Sequence, residues 1–168
     1  MKKLLLSLFI TLSTTILAKT PDSLFGVYIN DNVLDYVTKE ELKSKYRDKV
    51  RGFYGLILKN PPVSNKDYSD KLWVKIDKNN KIASIQSEKY FRNFENCKRV
   101  EVDVRKALET KYDIELLRNS EPYGFYKWLV DNAIATGCRV SGDKTDLLIS
   151  LMTKDYIFKL NESLNSKI

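Results

Sequence analysis

Polar and apolar residues along this chain change period several times, and each change predicts an element. In LWVKID, Leu72, Val74 and Ile76 alternate with Trp73, Lys75 and Asp77, the two-residue period of a strand with one buried face. The DKNNK that follows supplies a hairpin turn, and Ile82 to Gln86 is the return strand. Upstream, Leu56 to Lys59 is an extended run that stops at Pro61-Pro62, where two backbone donors are missing. Between Asn93 and Tyr112 the period becomes helical. Cys97, Val100, Val104, Leu108 and Tyr112 form a stripe at spacings of three and four, with Lys98, Glu101, Arg105, Lys106 and Glu109 turned outward.

Past Pro122 and Gly124, the runs FYKWLVD, AIATGCRVS and DLLISLM read as three strands joined by tight turns. KDYIFKLNESLNSKI then places Ile157, Leu160, Leu164 and Ile168 on one face of a closing helix. At the other end, LFGVYI enters as a short extended segment. Asp31 can cap a short helix whose Val33, Leu34 and Val37 share a face, and Thr38 with Glu41 three residues on forms a capping-box pattern for a second. The order is helix, three strands, long helix, three strands, helix. It predicts an α+β domain: an antiparallel sheet of two three-stranded meanders packed by a long central helix and a C-terminal helix. The repeated order suggests a degenerate duplication, although no residues align between the halves.

The opening MKKLLLSLFITLSTTILA has two lysines, a short apolar run and a small residue at its end. This is the pattern of a secretory signal peptide over residues 1–18, leaving a single domain over residues 19–168. No second apolar run approaches the roughly 20 residues of a membrane span, so no stable span is expected after processing. The compact lysine-led leader points to the periplasm or exterior of a bacterium. Of the +7 formal net charge, two units leave with Lys2 and Lys3. The remaining lysines are interspersed with Asp and Glu, a solvated surface rather than a polyanion patch. Export argues against nucleic acid as a partner.

An oxidising destination changes the reading of the two cysteines. Along AIATGCRVS, Ile134, Thr136, Cys138 and Val140 point to one side of the strand. Cys97 lies on the apolar stripe of the long helix, so both thiols face the helix–sheet interface and a Cys97–Cys138 disulfide is expected. The neighbouring TGCRVSGDKT resembles a phosphate loop only superficially. Asp143 intrudes where lysine should follow Gly142, and the run after it is strand-like. Ser141 and Lys144 show S-x-x-K spacing without the S-D-N and K-T-G partners of that chemistry. A hairpin turn at Ser141 to Lys144 is the simpler expectation.

The chain contains no histidine, which removes the usual general base and the commonest metal ligand. With two cysteines a zinc site is not expected. Asp77, Asn79 and Glu88 match three positions of a calcium loop, but Ile82 stands where glycine is required. No cofactor or metal is implied. A carboxylate pair carries no sequence mark, since 22 acids always include some that meet in space. NES at Asn161 to Ser163 falls within the closing helix and is read as chance. The aromatics are the most suggestive remaining feature. Tyr126 and Trp128 share one strand face and Tyr54 and Trp73 lie on other strands, a candidate surface for stacking on sugar rings or anchoring a protein.

Helices followed by three-stranded meanders, twice over, resemble the element order of periplasmic inhibitor proteins of the β-lactamase-inhibitor type and of small outer-membrane assembly factors. The resemblance lies in element order and carries no residue across. The expected function is an exported non-enzymatic binding domain whose partner is another envelope protein or an envelope polysaccharide. The alternatives are a periplasmic inhibitor or immunity-type protein and a small hydrolase with an unmarked carboxylate pair.

Overall fold

The computed structural model describes residues 20–64, 66–118, 124–129 and 131–165, with the backbone alone at Tyr126, Trp128 and Ser141. The leader expected over residues 1–18 lies outside the described residues, as does Ile168. The chain opens with a hairpin of β1 (Ser23–Leu24) and β2 (Val27–Tyr28), a 3-10 turn at Val33–Asp35 and α1 (Lys39–Leu42). Next come β3 (Tyr46–Arg47), β4 (Tyr54–Leu58), β5 (Lys71–Ile76), β6 (Ile82–Phe91) and α2 (Phe94–Tyr112). The second half is β7 (Leu117–Arg118), β8 (Phe125–Trp128), β9 (Asn132–Ser141), β10 (Lys144–Thr153) and α3 (Lys154–Asn165).

The fold is α+β, with antiparallel strands packed by a long helix and a C-terminal helix. Both expected meanders are present, each extended by a two-residue strand, β3 or β7, at the outer edge. They fuse into one sheet in the order β3-β4-β5-β6-β10-β9-β8-β7. The last strand of each meander lies at the centre, where β6 and β10 pair from Thr145↔Phe91 to Met152↔Ser84. That ladder explains why β6 runs to Phe91 instead of stopping at Gln86: β10 supplies hydrogen-bonding partners from Ser84 to Phe91. The order reads alike from either edge, and residues from beside α1 and from α2 pack into the same core.

Local chemistry sets the boundaries. Asn93 caps α2 by accepting from the Asn96 N–H at 2.9 Å, and Asp113 ends it in the left-handed conformation at φ 52°. The Thr38–Glu41 capping box forms as expected. The preceding turn is capped by Asn32 rather than Asp31, whose carboxylate instead accepts from the Tyr36 hydroxyl. Asp77 Oδ1 accepts from the backbone N–H groups of Asn79 and Lys81, holding the β5–β6 turn. At SGDKT, Ser141 pairs with Lys144 and Gly142 adopts φ 63°, so the corner is a two-residue hairpin turn.

The main core lies between the sheet and α2, with the β1–β2 hairpin closing its side. Cys97 and Cys138 are bonded, with Cα atoms 6.1 Å apart. The buried line on α2 is Cys97, Glu101, Val104, Leu108 and Tyr112, whereas Val100 is only half-buried. Glu101, expected to face outward, is 1 % exposed. Successive steps of three and four from Cys97 pass through Glu101, and the disulfide draws that line flush against β9. Its Oε1 has no hydrogen-bond partner among the described residues, and Lys98 Nζ is 4.0 Å from Oε2. Burial raises the Glu101 pKa, partly offset by Lys98 and Arg105.

A smaller core sits on the other side, where Tyr156 meets Phe53 edge-on at 5.0 Å between centroids, beside Val50 and Ala83. Helix α3 therefore buries Tyr156 and Ile157, with Leu160 partly covered, while Leu164 is exposed. The expected face of Ile157, Leu160 and Leu164 is rotated toward Tyr156. No helix among the described residues is long and apolar enough to cross a membrane.

Breaking the cross-link by a Cys97→Ser, Cys138→Ser double substitution should cost about 4 kcal/mol from loop closure alone, measured by urea unfolding. A loss near zero would show that packing alone fixes α2. For Glu101, the folded pKa exceeds the unfolded one, so its contribution favours folding at low pH and is lost as pH rises above the ordinary glutamate value through the raised one. Glu101→Gln should accordingly be more stable than the parent by about 1 kcal/mol at pH 8 and equal to it at pH 4, read by parallel denaturant titrations.

Candidate binding surface

Residues directly opposite each other on antiparallel strands share a face of the sheet, so the ladders sort every strand residue. The inner face takes Leu56, Leu72, Val74, Ile85, Leu147 and Ile134 into the main core. On the outer face, one row crosses Tyr46, Gly55, Lys75, Ser84, Met152 and Ala133. The next crosses Ile57, Trp73, Gln86, Ser150 and Ala135. A third holds Lys71, Glu88, Leu148 and Gly137, and a fourth Tyr90, Asp146 and Arg139. Helix α3 covers this face at the end of the first row only, through its contacts with Met152 and Ala83.

Tyr46 lies across the sheet because Gly55 has no side chain; a Cβ there would overlap the phenol ring. That ring meets Trp73 edge-on, with centroids 6.2 Å apart and planes at 87°. Lys75 Nζ donates to the Tyr46 hydroxyl at 3.2 Å and pairs with Asp48. Burial disfavours the Lys75 charge, but Asp48 and the Tyr46 hydroxyl outweigh it and raise its pKa above the ordinary lysine value. Asp48 also accepts from the Val50 N–H at 2.9 Å and from the Tyr156 hydroxyl at 3.5 Å. Burial and this neighbouring carboxylate raise the phenol pKa of Tyr156 far above its usual value. Tyr156, Asp48, Lys75 and Tyr46 thus tie α3, the β3–β4 connection and β5 into one unit.

In the upper rows Arg139 is 3.1 Å from Asp146 and 3.7 Å from Glu88. Lys71 Nζ lies 5.3 Å from the centroid of the Tyr90 ring. Asp146 is thus 4 % exposed on a face that no helix among the described residues covers there. Trp73 Nε1, Arg139 Nε and Asp146 Oδ1 are shielded from solvent and without a hydrogen-bond partner among the described residues. Around these groups, Tyr46, Ile57 and Tyr90 are 42 %, 40 % and 39 % exposed. The result is a surface of exposed aromatic and aliphatic groups beside paired charges, the composition of a protein interface.

Of the aromatics singled out from the sequence, Trp73 is on this face and half-buried. Tyr54 is on the other: it pairs with Ile76, packs against the main core and carries Lys45 Nζ 4.7 Å above its ring. Tyr126 and Trp128 pair with Ala135 and Ala133, but their side chains lie outside the described part of the structure. Trp73 instead has Tyr46 and Ile57 for neighbours, which sequence reasoning missed. Tyr46 is in a strand too short to show a period, and Ile57 is hidden within the apolar run Gly55 to Leu58. Alternation through SEKYF was the available signal for Tyr90. Glu88 and Asp146 do meet, around Arg139, which engages both. Among the described residues no group of three or more Cys, Asp or Glu could hold a metal ion. Comparison with protein-family models, with curated proteins and with solved structures found no match.

The Tyr46–Gly55 seating is directly testable. Gly55→Ala should destabilise the domain by about 1 kcal/mol and alter its near-ultraviolet circular dichroism, because the ring must leave Trp73. In a Tyr46→Ala background the same change should cost close to nothing, giving a coupling of about 1 kcal/mol in a double-mutant cycle.

Proposed function

We propose that the protein is an exported, non-enzymatic interaction domain that binds another envelope protein through the outer face of its sheet, in the periplasm or outside the cell. The observation that carries this reading is the exposure of Tyr46 and Ile57 beside Trp73, and of Tyr90 further along the same face, which among the described residues is covered only at one end, by α3 and the β3–β4 connection. Tyrosine, tryptophan and arginine are the residues that most often dominate binding energy in such patches. The half-exposed Arg139 bridges Glu88 and the buried Asp146 across β6, β9 and β10, and side chains already tied to one another lose less entropy when a partner covers them. The lysine-led leader and the Cys97–Cys138 cross-link support an oxidising location.

Immobilised protein passed over an envelope extract should retain one protein in stoichiometric amount. Tyr46→Ala and Ile57→Asp should each weaken that complex by about tenfold or more; Ile57→Asp should do so with a melting temperature close to that of the parent, whereas Tyr46→Ala also loses its contact with Trp73 and is read against its own unfolding curve. Retention of envelope polysaccharide instead of protein would replace the partner, and loss of turnover in that partner on binding would make the domain an inhibitor. Undiminished capture by both variants would remove the outer face from the binding site.

A further inference from the structure

On the inner side of the molecule, away from the proposed interaction face, a groove of 350 Å³ separates the turn of the β1–β2 hairpin from helix α2. Its floor is Val104, Leu108 and Ile149, and its walls include Phe25, Val63 and Tyr68. The walls are each fastened elsewhere. The Val63 N–H donates to the Phe25 carbonyl at 3.1 Å, and the Tyr112 hydroxyl donates to the Ser23 carbonyl at 2.7 Å. Ser87 Oγ donates to the Tyr68 carbonyl at 3.2 Å. Gly26 fits so closely against Pro62 that a Cβ would come within 2.9 Å of it. Each side of the opening is thus tied to the body of the fold.

Two features give the groove its chemistry. Phe25 holds φ 53°, a left-handed conformation that bulky residues rarely adopt, and its half-buried side chain packs at the groove and against the core. Such outliers cluster at ligand clamps. The second feature is charge. Among the described residues Lys111 is the one cation in the lining, and no carboxylate lines the groove. Its Nζ sits 4.8 Å from the Tyr112 ring centroid and has no ion-pair partner among the described residues. A volume at the small end of the usual range for ligand sites, about 300–1,000 Å³, fits one acyl chain.

We infer that this groove binds a single-chain anionic amphiphile, its tail along Val104 and Leu108 between Phe25 and Val63 and its carboxylate against the Lys111 ammonium. Ala107 is the small exposed residue on the shoulder of α2 that leaves the tail its path. The inference is independent of the outer face and does not require a protein partner.

The purified protein, titrated with dodecanoate, dodecanol and dodecyltrimethylammonium below their micelle concentrations, tests this by calorimetry and by amide shifts. Dodecanoate should saturate one site, with the largest shifts at Val63, Ala107 and Lys111. Lys111→Gln should weaken dodecanoate by about tenfold and leave dodecanol unchanged. Ala107→Trp should block both, and Ala107→Leu serves the same purpose if the larger variant melts early. The inference is overturned if dodecanoate does not saturate, if the cationic amphiphile binds as tightly, if Ala107→Leu and Ala107→Trp both bind normally, or if the shifts fall on Tyr46, Ile57 and Trp73.

Discussion

The covalent bond between Cys97 and Cys138 is the constraint on which the layering depends. It joins the first turn of α2 to the middle of β9, so the helix must lie on the inner face, across the central strands. A long amphipathic helix needs an apolar surface to cover, and the strands provide the larger one on that side. With the helix fixed there, the Tyr112 hydroxyl reaches the Ser23 carbonyl and ties the N-terminal hairpin to the far end of the same helix. The hairpin in turn closes the side of the core. Each contact follows from the position of the one before it.

The same constraint explains the character of the opposite face. Helix α3, only 12 residues long, anchors through Tyr156 on Phe53 and leaves three rows of the sheet without a helical cover among the described residues. A half-open antiparallel sheet of this kind normally carries polar residues outward. Here Arg139, Asp146 and Glu88 satisfy that rule, while Tyr46, Ile57, Trp73 and Tyr90 depart from it. Surface ion pairs contribute little to stability when solvated; in the Arg139–Asp146 pair the carboxylate is buried while the guanidinium is half-exposed, and it bridges neighbouring strands β9 and β10. A rigid polar frame around an aromatic field suits recognition. The groove at the inner edge is framed in a comparable way, by hydrogen bonds to backbone carbonyls around an apolar interior.

Much of this architecture was legible in the residue pattern. The alternation of Leu72, Val74 and Ile76 located β5 and its buried face, and the stripe from Cys97 to Tyr112 located α2 almost to the residue. Both signals come from periods that are local properties of the backbone. Reading failed where an element was too short to have a period, as at Tyr46, or where a run was uniformly apolar, as at Ile57. Tyr54 and Trp73 looked equivalent as strand aromatics, yet they sit on opposite faces, since a shift of one residue inverts the direction of a side chain. Glu101 was misread for a different reason: its charge suggested solvent, but its place on the helical surface put it under the line drawn by the disulfide.

The sequence by itself determined the element order, the inward faces of β5 and α2, the turn at Gly142 and the pairing of the only two cysteines, because these follow from short-range periodicity, backbone conformation and elimination. Tertiary structure decided that the two meanders share one sheet through β6 and β10, that Tyr46 rests on Gly55 beside Trp73, and that a groove stays open beside Lys111. Those outcomes depend on contacts between residues far apart in the chain, where strand register and helix placement are set by the packing of the whole core and no local pattern encodes them.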